Sequence, residues 1–388
     1  MHAATRDARP VVRILGTHGV PAAYGGFETA AENVALHLRD HGWRPVVYCQ
    51  ADGRGPIVED VWNGIDRVTI PVARDGWLGT SLFDLRSIRH ATRFRDPCLT
   101  FGYNTAVFNI AQRALGIPNV INMDGIEWSR ARWGVIRQAI LYVNERIACW
   151  VGDELIADHP VIEDYLARKA RRSKLHTITY GANTVLDAPT APVAELGLEP
   201  GRYLTIVCRP IPENSILELV TAFSRRPRGV QLAVLGTYGD DDPFHRAVRE
   251  AASPEVVFPG SVYEPERLAA IRYHGLAYLH GHTVGGTNPS LVEAMAAGNP
   301  VIAHDNPYNR WVAGDGALYF DSVDSAAEQI DALLESESLR GRLSATVRER
   351  HAAEFTWEHV AGQYETLIAS VSARRPELVS EPDVGATA

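Results

Sequence analysis

Paired cysteines are missing from this sequence. Cys49, Cys98, Cys149 and Cys208 stand 49 to 59 residues apart, and none falls in the CxxC spacing that zinc or dithiol chemistry uses. They are expected to be buried, reduced thiols. No run of 18 apolar residues occurs, and the opening MHAATRDARP lacks the apolar centre of a signal peptide. A cytoplasmic chain without a membrane span is therefore expected. A basic excess is missing too: the formal net charge is −9, which argues against a general nucleic-acid binder. The nicotinamide fingerprint is absent, because the loop after the first apolar run, GTHGVPAAYGG, is too long and wrongly spaced for GxGxxG. No DxD pair is placed to hold a metal. Asp240, Asp241 and Asp242 in TYGDDDP read as a solvated loop.

Charge and periodicity carry the positive information. Residues 1–190 hold 22 Lys and Arg against 20 Asp and Glu, whereas the remainder holds 16 against 27. In the near-neutral first half, RSIRHATRFR (86–95) and WSRARWGVIR (128–137) combine basic and aromatic residues; either cluster alone reads first as a solvated helix face, and together they would suit an anionic surface. Apolar runs alternate with helical patterns along most of the 388 residues, which predicts parallel α/β architecture. The first set of strands is VVRILG (11–16), PVVYCQ (45–50), RVTIPV (67–72), CLTF (98–101), NVINM (119–123), ELIAD (154–158) and LHTITY (175–180). In the first helix Phe27, Ala31, Val34, Ala35 and Leu38 share one stripe.

Residues 185–202, with three prolines and two glycines, read as a linker. A second series follows: YLTIVC (203–208), QLAVLG (231–236), VVFPG (256–260), LAYLH (276–280), PVIAH (300–304) and ALYF (317–320). The expected fold is two doubly wound Rossmann-like domains facing across a cleft, with boundaries at 1–184 and 203–354. A helical segment 355–373 would cross back to the first domain, and 374–388 would form a disordered tail.

The most informative stretch is GGTNPSLVEAMAAGNPVIA, residues 285–303. A small polar loop follows a strand, Pro289 opens a helix after Asn288, and Gly298 closes it. Free amides at the helix start, with Ser290, suit an anion, and Glu293 further along suits a ribose diol. Together they describe a nucleoside diphosphate; the alternative is a capped helix with an incidental exposed Glu293.

LVEAMAAGNPVIA and the N-terminal glycine loop resemble retaining glycosyltransferases of the GT-B fold, family 4. LGTHGVPAAYGGFET and DGIEW further resemble a bacterial subgroup regarded as rhamnosyltransferases of cell-surface polysaccharide assembly. The resemblance runs from about residue 11 to 372. It implies a donor seat formed by Gly25, Gly26, Arg209, Asn214, Val262, Tyr263, Gly285, Gly286, Thr287, Asn288, Ser290, Leu291 and Glu293. Two positions depart from the family. The first of its two glutamates falls on Gly285, and its phosphate-binding lysine falls on Asn214, leaving Arg209 as the guanidinium fork. Backbone groups of Val262 would meet the base and Tyr263 would stack on it; alternatively Tyr263 is core.

Asp124 stands where the family often has a histidine facing the donor sugar, and Glu127 follows one turn later. With Arg209 and Asn214 they form the expected catalytic set, although Asp124 could equally cap a helix. Tyr24, Glu28, Tyr103, Asn104 and Tyr180 are expected on the acceptor side. The resemblance implies a front-face retaining transfer without metal or other cofactor. The donor would be a nucleotide sugar, first rhamnose on dTDP, with UDP-sugars and GDP-mannose as alternatives; the missing glutamate and lysine leave a catalytically weak nucleotide-sugar-binding protein as the other reading. The acceptor would be a saccharide, lipid-linked, with peripheral contact to the inner face of the plasma membrane through the first half. Nucleic acid is not an expected partner.

Overall fold

A computed structural model describes residues 9–23, 25–130 and 133–374. The chain divides into two compact units, Met1–Thr179 with Trp357–Ala388, and Tyr180–Thr356.

In the first unit the strands are β1 (Val11–Leu15), β2 (Arg44–Asp52), β3 (Val58–Trp62), β4 (Ile65–Val72), β5 (Cys98–Phe101), β6 (Asn119–Asn122), β7 (Glu154–Ala157) and β8 (Leu175–Thr177). They form one sheet in the order β3-β4-β2-β1-β5-β6-β7-β8. Every pairing is parallel except the β3–β4 hairpin. Its helices are α1 (Gly26–Asp40), α2 (Gly76–Ala91), α3 (Ile110–Ala114), α4 (Val135–Val151) and α5 (Pro160–Leu166). β3 escaped the sequence reading because its residues are exposed and offer little apolar alternation. Asn63 and Gly64, both at positive φ (47° and 77°), make the tight turn that pairs it with β4.

The second unit holds α6 (Ala191–Ala194), β9 (Tyr203–Val207), α7 (Ile216–Ser224), β10 (Gln231–Leu235), α8 (Pro243–Glu250), β11 (Val256–Val257), α9 (Pro265–Tyr273), β12 (Ala277–His280), α10 (Pro289–Ala296), β13 (Val301–His304), α11 (Pro307–Ala313), β14 (Ala317–Phe320), α12 (Val323–Glu335) and α13 (Glu337–Glu354). Its sheet runs β11-β10-β9-β12-β13-β14, the doubly wound order with its switch between β9 and β12. In TYGDDDP, Asp242 caps α8 by accepting from the Phe244 amide at 2.8 Å.

Residues 185–202 are not a linker. Val193 and Leu198 are buried with Tyr203, Ala233, Leu235 and Ile271, and the Gly201 amide donates to the His274 carbonyl at 2.8 Å. The prolines and glycines there shape short turns on the second core rather than loosening the chain. The units divide at 179/180 and 356/357 instead of 184 and 354. Phe355, read as part of the returning helix, is fully buried in the second unit beside Val292, Met295 and Val347. The expected tail falls, from residue 375 on, outside the described residues.

The last helix, α14 (Trp357–Ala373), packs on α1 in the first unit. Tyr364 is 2% exposed, its ring lies 6.0 Å from that of Phe101, and its hydroxyl accepts from Asn122 Nδ2 at 2.6 Å. A charged residue on a central strand is handled similarly. Arg13 of β1 pairs with Asp96 at 2.7 Å, donates to the Tyr48 hydroxyl and lies 3.7 Å over the Phe94 ring. The four cysteines are free; Cys49, Cys98 and Cys149 are buried. Burial pushes the Cys98 and Cys208 thiols up to about 12, so they behave as inert packing groups. No helix among the described residues is long and apolar enough to cross a membrane.

Tyr364→Phe leaves the buried Asn122 amide without its acceptor. It is expected to lower unfolding stability by about 1–3 kcal/mol in a denaturant titration. A change below about 0.5 kcal/mol would show that the ring alone anchors α14.

Candidate functional site

In the second unit, the loops after β9 and β12 meet at the carboxyl edge of the sheet. Gly281 makes this possible: a Cβ there would lie 2.1 Å from the Asn214 carbonyl oxygen. Thr283 fastens the contact, its amide and hydroxyl donating to the Glu213 carbonyl at 3.0 and 2.9 Å. Ser215 closes the β9 loop at φ 44°, a left-handed conformation unusual for a residue with a side chain. Arg209 stands exposed at the rim. Asn214 does not: it is 4% exposed, and its amide turns inward to donate to the Arg209 carbonyl at 2.7 Å. The role expected for it, a neutral donor to phosphate, gives way to bracing the loop that carries Arg209.

The β12 loop leads into α10. Gly285 has φ 132°, and a Cβ there would lie 3.1 Å from Asn288 Nδ2. The position therefore suits glycine, which accounts for the missing glutamate. Gly286 and Thr287 are buried, while Asn288 and Ser290 are half-buried. Asn288 is the N-cap of α10 and Pro289 its first residue, with no side-chain cap bond among the described residues. Pro289 carries no N–H and the Leu291 amide donates to the Asn288 carbonyl at 3.1 Å, so in the first turn the seat for an anion rests on the Ser290 amide, which the capping side chain does not claim.

Glu293 has a 34% exposed side chain, and Arg272 Nη2 of α9 holds its Oε2 at 2.6 Å. Arg272 is 3% exposed. The sequence reading missed it because its partner is 21 positions away and nothing in PERLAAIRYH marks one residue as an anchor. Behind the loop, His280 is fully buried. Its ring stacks on His282 at 4.3 Å and its Nδ1 meets the Tyr278 hydroxyl at 3.2 Å. Burial, with the neighbouring His282, holds His280 well below its ordinary value, so it is neutral. Tyr263 is 78% exposed, which excludes the core alternative, and Val262 packs against the Val193 cluster.

In the first unit, the loop after β1 is shaped by glycines other than those singled out. Gly25 is extended (φ −163°) and Gly26 opens α1, so neither needs a left-handed backbone. Gly16 (φ 83°) and Gly19 (φ 109°) do. A Cβ on Gly16 would meet the Phe101 carbonyl at 2.1 Å, and one on Gly19 would meet Cys49 at 2.5 Å. Glu28, expected on the acceptor side, is 6% exposed, and its Oε1 accepts from the His18 amide at 3.0 Å. It pins the loop. It also lines a cavity of about 580 Å³ with His18, Gln50, Asp60, Arg67 and Thr69. There Arg67 pairs with Asp60 at 2.7 Å and donates to the Val20 carbonyl.

DGIEW follows β6. Asp124 sits at φ 54°, one of three non-glycine residues with positive φ among the described residues, and its amide donates to Asn122 Oδ1 at 3.0 Å. Such strain persists where surrounding contacts over-determine it, as at functional sites. Glu127 is placed differently. It is 6% exposed, with Oε1 on Arg130 at 2.7 Å and Oε2 accepting from Trp133 Nε1 at 3.3 Å. Both its oxygens serve the loop. Tyr103, 1% exposed, accepts the Glu127 amide at 2.9 Å, and Trp128 Nε1 donates to Tyr165 and Glu145. Neither Glu127 nor Tyr103 offers a free face, while Asn104 is exposed. Tyr180 is half-buried in the second unit, and Tyr24 lies outside the described residues.

Residues 9–183 match a family model described as a domain of unknown function, DUF1972, and residues 216–366 match one described as glycosyl transferase-like. The MMP α-(1→4)-mannosyltransferase of Mycolicibacterium hassiacum is 26% identical over 64% of this chain and 63% of its own length. The α-monoglucosyldiacylglycerol synthase of Streptococcus pneumoniae is 28% identical over 42% of this chain and 38% of its own. The chain thus spans less than two thirds of either relative. Sucrose-phosphate synthase from Thermosynechococcus elongatus superposes with a TM-score of 0.80 at 21% identity, covering 94% of this chain and all of that one. HepE of Anabaena, in complex with UDP, gives 0.72 at 17%, covering 93% and 100%. These likenesses establish the fold as two Rossmann-like α/β domains of the GT-B type.

Arg272→Met should free the Glu293 carboxylate and, for a nucleoside diphosphate seated on this edge, weaken binding about ten- to a hundredfold, the range of one charge-assisted hydrogen bond. Calorimetry or equilibrium dialysis checks this, with circular dichroism unchanged. Unaltered affinity would make the pair purely structural.

Proposed function

We propose that this GT-B-fold chain is a glycosyltransferase that moves a sugar from a nucleoside diphosphate donor to a saccharide acceptor with retention of configuration. The observation that carries the reading is Glu293, held by buried Arg272 on the helix whose first turn follows the Gly285–Asn288 loop. A carboxylate fixed at that distance from a helix N-terminus suits a ribose diol beside a diphosphate. The match of residues 216–366 to a glycosyl transferase-like family supports it.

Arg209, on a loop braced by Asn214, would grip phosphate oxygens with its fork. The backbone amides of the Gly285–Asn288 loop would stabilise the charge that grows on the departing diphosphate. In a front-face transfer that diphosphate takes the proton of the attacking hydroxyl as the glycosidic bond breaks, and the protein supplies position and charge. Asp124, at its left-handed position, offers the first unit a carboxylate that suits the hydroxyls of a sugar bound on that unit. Metal has no role in this scheme. For the donor, rhamnose on dTDP is the first choice. The mannosyl and glucosyl relatives and the UDP complex keep UDP-sugars and GDP-mannose as rivals.

A lipid-linked acceptor is supported by the outer face of the first unit. α2 exposes Leu78, Leu82 and Leu85, and α4 exposes Val135 and Ile136 (81% and 79%), Val143 and Trp150. α3 packs against both helices. Arg89, Arg113, Arg137 and Arg146 are exposed on them, whereas their acidic residues, Asp84 and Glu145, are buried. Apolar side chains with only positive charge among them suit an anionic bilayer surface.

A thermal-shift comparison of dTDP, UDP, GDP and ADP should single out one base. Saturation at about 100 Kd adds about 2.7 kcal/mol, a rise of several degrees. Silence from all four would overturn the reading. Turnover with the matching nucleotide sugar should survive excess EDTA, and complete reversible loss would reinstate a catalytic metal. The chain should float with anionic but not neutral liposomes at low salt, and Val135→Ser with Ile136→Ser should abolish flotation. Equal partitioning to both vesicle types would remove the membrane face.

A further inference from the structure

We propose that the last turn of α1 and the first turn of α14 carry a surface zinc site made by His37, His41 and Glu358, which staples the returning C-terminal helix to the first unit. Ring nitrogens of the two histidines and a Glu358 oxygen lie within 4.8 Å of one another. His37 in the last turn of α1 and His41, its C-cap, are four residues apart, with rings stacked at 3.9 Å. Glu358 Oε2 is 3.6 Å from His37 Nδ1.

Proximity alone describes many surface clusters. What separates this one is the use of the remaining ring nitrogens. His37 Nε2 is 3.0 Å from Glu365 Oε2, two turns along α14, and His41 Nδ1 is 2.8 Å from the His37 carbonyl oxygen. Each acceptor holds a proton on that nitrogen, leaving the lone pair on His37 Nδ1 and on His41 Nε2. Metal-bound histidines are oriented in this way, with the second nitrogen donating to a carboxylate or a backbone carbonyl. Glu365 is itself fixed, because Trp43 Nε1 donates to its other oxygen at 3.2 Å.

Two imidazoles and a carboxylate are a zinc donor set with a fourth position for water. Zinc at about 2.0–2.1 Å from each ligand needs ligand atoms about 3.4 Å apart. His41 and Glu358 are exposed, so rotamer adjustment closes the difference. The site lies in the last turn of α1, at the far end of that helix from the glycine loop. It is independent of the proposed transfer reaction and compatible with turnover in chelator.

The test uses the full chain stripped with chelator and dialysed. Titration with Zn²⁺ against a chromophoric chelator should show one site, and Zn²⁺ should raise the melting temperature by several degrees. His41→Ala and Glu358→Gln, both at exposed positions, should weaken that site at least tenfold and remove the thermal shift while leaving the metal-free melting temperature in place. Glu365→Gln, acting through His37, should weaken binding about ten- to a hundredfold. Zn²⁺ binding that is absent, or identical in wild type, His41→Ala and Glu358→Gln, would overturn the proposal.

Discussion

The second unit depends on one close approach. At the switch between β9 and β12, two loops share the space that a single Cβ on Gly281 would fill. Everything at that edge follows from the contact: the turn through Ser215, the inward Asn214 amide, the rim position of Arg209, and the run from Gly285 into α10. In a doubly wound sheet the strands' carboxyl ends open together only at the switch, so ligand-binding loops gather there. A side chain at Gly281 would push them apart.

The first unit solves the same problem with buried polar struts. Glu28 pins the glycine loop, Glu127 and Tyr103 brace DGIEW, and the Tyr364 hydroxyl ties β6 to α14. Each strut is a carboxylate or hydroxyl taken out of water, and each keeps its hydrogen bonds filled from within the unit, as burial requires. Asp124 is carried at the apex of that framework. Its strained backbone is tolerable because the residues around it are held from several directions.

Polar side chains near the strand ends therefore divide into two kinds. Glu293, Arg209, Asp124 and Tyr263 retain exposed surface, whereas Glu28, Glu127, Asn214 and Tyr103 are consumed in holding loops. On the proposed function, loss of the second kind would act on activity through displacement of the first. Arg272 is intermediate, since it is buried yet grips an exposed carboxylate.

Much of the fold was legible in the sequence. Every apolar run read as a strand is one, since strands buried on both faces leave continuous apolar runs, whereas exposed β3 left none. The glycine loop, the α10 motif and the alternation that implies a parallel sheet in each unit are local patterns, and local patterns survive without coordinates. The roles of individual carboxylates and amides are not local. Whether Glu127 meets a ligand or Arg130, and whether Glu293 stands alone or against Arg272, depends on partners that only folding brings within 3 Å. The same holds for residues 185–202, whose prolines and glycines suggested a loose linker until Val193 and Leu198 found a core to enter. The sequence by itself determined the architecture, because periodicity encodes which faces are buried. Tertiary structure alone decided which polar groups remain for chemistry, because a buried charge or amide takes the nearest partner the fold supplies.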